Sequence, residues 1–203
     1  MFHSKFLKYI ALLVMFCALS LSALTVNQSV TVDINGGGQV IYTYNTSLDS
    51  VWLCREFQKR LGLLDFTDKA AVLQHFQAFP GVKVESYFTV SRGEVSRTQI
   101  VVSAKDLPAA MKAGAFGGLT IAASPKITGD LELTASMPQG GKPRPELDPL
   151  LKQLGDLELT LLLTTPTEII ESTGEKVAFN RHRWKLDGAA IIRGKFPTIH
   201  ARW

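Results

Sequence analysis

The sequence has 203 residues, of which 46% are hydrophobic and 20% charged, and a formal net charge of +4. This is ordinary globular material, enough for one sizeable core and short for two. The charge does not point to nucleic acid: Lys5 and Lys8 lie in the first 22 residues, and taking them from the 22 basic residues leaves 20 against 18 acidic ones. A surplus of two is no electrostatic footprint for a polyanion.

Residues 1–8 carry two lysines and no acid, residues 9–19 are unbroken apolar, and Ser20-Leu-Ser-Ala23 supplies small residues. This is the pattern of a secretory signal peptide. Cleavage after Ser22 places Ser20 and Ser22 at the two positions that must be small, whereas cleavage after Ala23 puts Leu21 at the upstream one. The apolar run falls short of the roughly 20 residues that span a bilayer as a helix. The expected plan is a signal peptide over 1–22 and a single α+β domain over 23–203. A lipidated cysteine normally follows a small residue, and Phe16 precedes Cys17, so Cys17 reads as an apolar leader residue. With the leader removed, Cys54 is the only cysteine and no internal disulfide can form. Beside Trp52 and Phe57 it reads as a buried apolar thiol rather than a nucleophile.

The chain then opens with strands. Val30, Val32 and Ile34 alternate with polar residues, Asn35-Gly-Gly-Gly38 turns, and Val40, Tyr42 and Tyr44 alternate on the return, which predicts a hairpin. The glycines do not make a phosphate loop, because neither a Gly-Lys-Ser/Thr nor a Gly-x-Gly-x-x-Gly pattern is present. A helix capped by Ser47 or Asp49 carries Leu53, Phe57 and Leu61 on one face and ends at Gly62. A second starts at Thr67-Asp68, buries Val72, Phe76 and Phe79, and stops at Pro80-Gly81. His75 within it has no second ligand type one turn away and reads as exposed or locally bonded. A second hairpin follows, with Val82, Val84, Phe88 and Val90 on one face, a turn at Ser91-Arg-Gly-Glu94, and a return over 95–103. Asp106 and Pro108 start a short helix with a glycine-rich end. Residues 119–123 and 127–135 read as strands, 137–145 as a proline-rich loop, and 149–154 as a short helix.

The most apolar strand comes late. In residues 156–165 Leu157, Leu159, Leu161 and Leu163 share one face, and Pro166 ends the run. Ser172-Thr-Gly-Glu175 is expected to reverse the chain, with Gly174 supplying a positive φ. Residues 176–186 then return as one long strand paired with the first, with Val177, Phe179 and Trp184 as apolar payload. Residues 189–194 and 198–203 look extended. The fold class is α+β, a curved antiparallel sheet of about nine or ten strands with three or four short helices.

Chemical motifs are absent. No metal-ligand spacing involves His75, His182 or His200, and no Gly-x-Ser-x-Gly, Ser-x-x-Lys or paired-Cys motif occurs. Asp130 and Glu132 share a strand face and read as solvated surface. Phe57, Phe76, Phe88 and Trp184 read as core. Catalytic, cofactor and metal residues are therefore none, no cofactor is expected, and no ligand-binding residue can be assigned. Seven basic residues against Asp187 alone over 176–203, facing a mostly acidic 146–175, are expected to pair across the sheet, acid against base. The alternative is contact with anionic headgroups.

The mature part resembles the LppM family of bacterial envelope proteins, through Val32-Asp-Ile-Asn-Gly-Gly-Gly38 and, later, Thr165-Pro166, Glu171-Ser-Thr-Gly174 and Trp184-Lys-Leu186. The resemblance implies a membrane-associated α+β domain that binds glycolipid. The expected function is thus an exported, non-enzymatic protein of the periplasm or cell envelope that binds a lipid, a glycolipid or another envelope component. A small outer-membrane β-barrel and a hydrolase without a recognisable motif are the alternatives.

Overall fold

A computed structural model describes residues 24–61, 64–123, 130–135, 145–149, 152, 157–188, 190, 193 and 195–203. The leader with Cys17, the helix stop at Gly62, the loop over 137–144, and most of the segments read as a helix over 149–154 and as extended over 189–194 lie outside these residues.

The first hairpin forms as its alternation predicts. β1 (Leu24–Val32) and β2 (Gly38–Ser47) pair antiparallel, with Val32 opposite Gly38. Gly36 takes the left-handed φ of +80° that closes the turn. Val30, Val40, Tyr42 and Tyr44 are buried, whereas Ile34 sits in the turn and is exposed, because the strand ends two residues before it. A 3-10 turn, Leu48–Ser50, leads into α1 (Val51–Leu61). Ser47 does not cap it through a backbone amide; its hydroxyl donates to Ser50 Oγ at 2.9 Å. In α2 (Lys69–Gln77) the Asp68 carboxylate accepts from the Ala70 and Ala71 amides, and Val72 and Phe76 are fully buried. In α3 (Leu107–Lys112) Asp106 accepts from the Ala109 amide, with Pro108 in the first turn. These are the three α-helices among the described residues.

The sheet differs from the expected one in two ways. β3 (Val82–Arg92), β4 (Val95–Ala104), β7 (Leu157–Thr164), β9 (Glu175–Ala178) and β10 (Arg181–Asp187) join the first hairpin in a seven-stranded sheet, ordered β3-β4-β2-β1-β7-β10-β9. Within it β1 and β7 run parallel, Leu24 opposite Leu157 and Val30 opposite Leu163. Alternation determines which face a strand buries, not its direction, so the leucine face of β7 continues the valine face of β1 equally well in parallel. Second, β5 (Leu119–Ala123), β6 (Leu131–Ala135), β8 (Glu171–Ser172) and β11 (Ile199–Arg202) form a separate sheet, ordered β5-β6-β11-β8. Among the described residues both sheets are open, with β3 and β9 as the edges of the larger one, and no closed barrel is formed. One core holds the inner face of the large sheet, the helices and the small sheet together.

Two local irregularities relocate apolar side chains. A bulge between Val84 and Ser86 shifts the parity of β3. It turns Tyr87 inward, where its hydroxyl donates to Phe66 O at 3.0 Å, and leaves Phe88 55% exposed rather than in the core. The long return strand is in fact a hairpin, since β9 and β10 pair across a two-residue turn at Phe179 and Asn180. Val177 and Phe179 are consequently exposed. β10 still pairs with β7, Trp184 opposite Leu161, and Trp184 is 5% exposed, a core anchor as expected. Gly174 is not in a positive-φ conformation. It is required for closeness, because a Cβ there would stand 2.6 Å from Trp184 Cε2. Next to it, Thr173 Oγ1 accepts from Trp184 Nε1 at 3.0 Å and from the His200 amide at 3.1 Å, and donates to Thr198 O at 2.9 Å. One hydroxyl thus ties the large sheet to the small one.

Candidate functional site

The residues that face away from the core on the large sheet form a shallow depression of about 270 Å³. Strand parity places them: Asn27 and Ser29 on β1, Ile41 and Thr43 on β2, Thr160 and Leu162 on β7, Arg181 and Arg183 on β10. Register then brings them together. Asn27 lies between Thr43 and Thr160, Ser29 between Ile41 and Leu162, and Leu162 beside Arg183. Ile41, Leu162 and Val177 supply apolar surface, and the hydroxyls and the Asn27 amide supply hydrogen-bonding groups. Pockets that engulf a small molecule run from about 300 to 1,000 Å³, so this depression has room for a headgroup or one chain segment and not for a whole drug-sized molecule.

Its electrostatics come from two guanidinium groups. Arg183 Nη2 lies 2.8 Å from Glu175 Oε2, and that contact holds the Glu175 carboxyl below its ordinary range. Arg181 reaches no carboxylate among the described residues; its Nε donates to Thr164 Oγ1 at 3.1 Å. A planar fork beside apolar surface suits an anionic group carried on a hydrocarbon.

Residues singled out in the sequence lie elsewhere. The Cys54 thiol is buried and burial pushes its pKa up to about 11, so it is inert as a nucleophile. His75 is half-buried at the end of α2, with Nε2 3.2 Å from Ala115 O and its ring edge-on to Phe76. Asp130 and Glu132 are not solvated surface. Arg202 Nη1 lies 2.7 Å from Asp130, with the Arg202 Nη2 3.3 Å from Glu171, and His200 Nε2 lies 3.7 Å from Glu132. The small sheet brings the C-terminal strand beside them, which spacing alone could not reveal. Among the described residues no group of three or more His, Cys, Asp and Glu could hold a metal ion.

His182 faces the core between Leu163 and Lys176, and neither ring nitrogen meets a hydrogen-bond partner. Burial lowers its pKa from 6.5, helped by the Lys176 charge; the Gly174 backbone offsets part of this without reaching hydrogen-bond geometry. The unfolded chain therefore takes up the proton first, and this contribution to stability is present above about pH 6.5 and is lost as pH falls. Urea midpoints measured between about pH 7 and about pH 5 should fall more steeply for the native chain than for His182→Leu. Equal slopes would remove His182 as a source of acid sensitivity.

The sequence assigns no residue of the depression to a ligand, although Arg181 and Arg183 lie in the basic run whose alternative reading is contact with anionic headgroups, and Val177 is among the apolar payload of the return strand. The signal was present in the second parity of the strands, Thr160 and Leu162 against Leu161 and Leu163, but the adjacency of β1 and β7 is needed to use it. No protein-family description and no curated protein matches the chain. The folded domain of LppM from Mycobacterium tuberculosis is similar in solved structure, with a TM-score of 0.48 and 16% identity, covering 89% of this chain and 88% of that one. Neither that likeness nor the next assigns a function. The next is yeast LTA4 hydrolase in complex with bestatin, at a TM-score of 0.33 and 8% identity over 89% of this chain and 28% of the hydrolase.

Proposed function

We propose that this chain is an exported envelope protein that holds an anionic amphiphile in the depression on the outer face of its large sheet, and that it catalyses no reaction on it. The observation that carries the reading is the placement of Arg181 and Arg183 beside Ile41, Leu162 and Val177, charge and hydrocarbon surface on one floor. The leader over 1–22 supports export, with cleavage after Ser22. An exported mature chain would meet free and membrane-bound amphiphiles. No nucleophile and base are paired in the depression, so its groups are suited to holding rather than transforming a ligand.

The test is organic extraction of the protein recovered from cells, followed by mass spectrometry, together with titration by a fluorescent long-chain fatty acid. An amphiphile in the extract and saturable uptake of the probe are expected. Leu162→Asp and Arg183→Glu should each weaken uptake about tenfold, the loss of one apolar or one charge-assisted contact of about 1.4 kcal/mol. A protein that carries no amphiphile and takes up no probe would end the proposal.

A further inference from the structure

The turn between β9 and β10 presents a large apolar side chain and is tied to the neighbouring segment by hydrogen bonds. Phe179 is 59% exposed, and Ile170, on the neighbouring segment, is 62% exposed. The Ile169 amide donates to Phe179 O at 2.9 Å and the Thr165 amide to Asn180 O at 3.0 Å, while Asn180 Nδ2 returns a bond to Thr165 O at 2.8 Å. The Thr165 hydroxyl, itself buried, donates to Thr167 O at 2.7 Å. Ile169 turns into the core and anchors the segment, leaving Ile170 on the solvent side. These bonds fix the backbone on which Phe179 and Ile170 face solvent.

The charge around them is graded. Along the outer face of β10, Arg181, Arg183 and Lys185 follow directly from the tip, while the far end closes with Asp187 opposite Glu158, two carboxylates in register. The acids near the tip are already matched: Glu175 by Arg183 at 2.8 Å and Glu168 by Lys176 at 3.9 Å. Arg181, next to the turn, reaches no carboxylate among the described residues. An apolar point with Arg181 immediately behind it, without a carboxylate partner among the described residues, matches a bilayer surface, where hydrocarbon lies beneath anionic headgroups. Covering by a second copy fits less well, since two such tips would bring the same cations together.

We infer that the β9–β10 turn is a membrane-docking wedge, Phe179 and Ile170 entering the interface of an anionic bilayer while Arg181 meets its headgroups. The inference deepens the reading above and rests on it for the partner class: the same edge carries Val177, Arg181 and Arg183 of the depression, so docking would place the depression at the headgroup layer.

Co-flotation of the protein recovered from cells, with vesicles of equimolar phosphatidylglycerol and phosphatidylcholine, tests it. The native chain should float with these vesicles and not with phosphatidylcholine alone. Phe179→Ser and Ile170→Ser should each reduce binding at least tenfold, Arg181→Glu should reduce it further, and Phe179→Trp should retain it and be quenched by brominated acyl chains. Both serine variants alter exposed residues, so their urea midpoints should match the native chain, and either one suffices if the other fails to fold. A native chain that stays with the soluble fraction, serine variants that float as well as native, or variants that instead abolish self-association without vesicles would each overturn the wedge. Fatty-acid uptake separates the two claims. Uptake unchanged in Phe179→Ser while native flotation fails sinks the wedge alone; flotation intact with no uptake by the native chain sinks the depression alone.

Discussion

Trp184→Ala is expected to cost about 3 to 5 kcal/mol of folding stability, through lost transfer energy and the cavity left behind. That is a large share of the roughly 5 to 15 kcal/mol a domain possesses. The indole is 5% exposed and lies under Gly174 and against Leu161, and its removal also takes the donor from Thr173 Oγ1. Urea unfolding reads the effect directly, and a midpoint shift worth under about 1 kcal/mol would place Trp184 among ordinary surface positions. The neighbouring glycine gives a second arm. Gly174→Ala alone drives a methyl into the ring, whereas in the Trp184→Ala background most of that obstruction is gone. The double variant should therefore cost less than the two singles added together, the mark of residues in contact.

Gly38→Ala should destabilise by about 3 kcal/mol, the upper end of what overpacking costs. A Cβ at this position would meet Leu107 Cδ2 at 2.8 Å and would overlap Thr31 O, a backbone atom of the paired strand that cannot rotate away. Gly36→Ala is the control. There the φ of +80° is the obstacle and nothing lies within 4 Å, so about 1 to 2 kcal/mol of left-handed strain is expected instead. If the two alanines cost the same in thermal or urea unfolding, close packing at Gly38 is not what the third glycine of the turn provides.

Those glycines show where sequence reading reaches and where it stops. Asn35-Gly-Gly-Gly38 announced a turn, and the turn is there; that the last glycine is needed against Leu107, nearly seventy positions on, depends on how α3 docks. Alternation of Val30, Val40 and Leu161 identified the buried face of three strands, because burial on one side of a pleat has a period of two. It could not say that β1 and β7 are neighbours or that they run parallel. The bulge in β3 is a further limit: Val82-Lys-Val-Glu-Ser-Tyr-Phe reads as one unbroken pattern, and one extra residue exchanges Tyr87 for Phe88 at the core. The expected pairing of acid against base emerged in Arg183 with Glu175 and Lys176 with Glu168, but Arg202 found Asp130, 72 positions earlier and just ahead of β6. The candidate site shares this origin. Its residue types are commonplace, and only the adjacency of five strands gives them meaning.

β1 lies in the middle of the large sheet, between β2 and β7. It meets β2 across a short turn, but on its other side position 24 waits for position 157, 133 residues later. Closing a span of that length is slow, and parallel pairing offers no local turn to guide it. A chain that crosses a membrane with its N-terminus leading cannot complete this sheet until its last third has followed. During that interval β3, β4, β2 and β1 can already pair, since all four lie before residue 105, and β1 stands as the bare edge of that smaller sheet. The same bare edge is open to any other strand nearby. Under the proposed export, yield would depend first on how quickly residues 157–164 arrive or how well the early chain is shielded, and only afterwards on the stability of the finished domain.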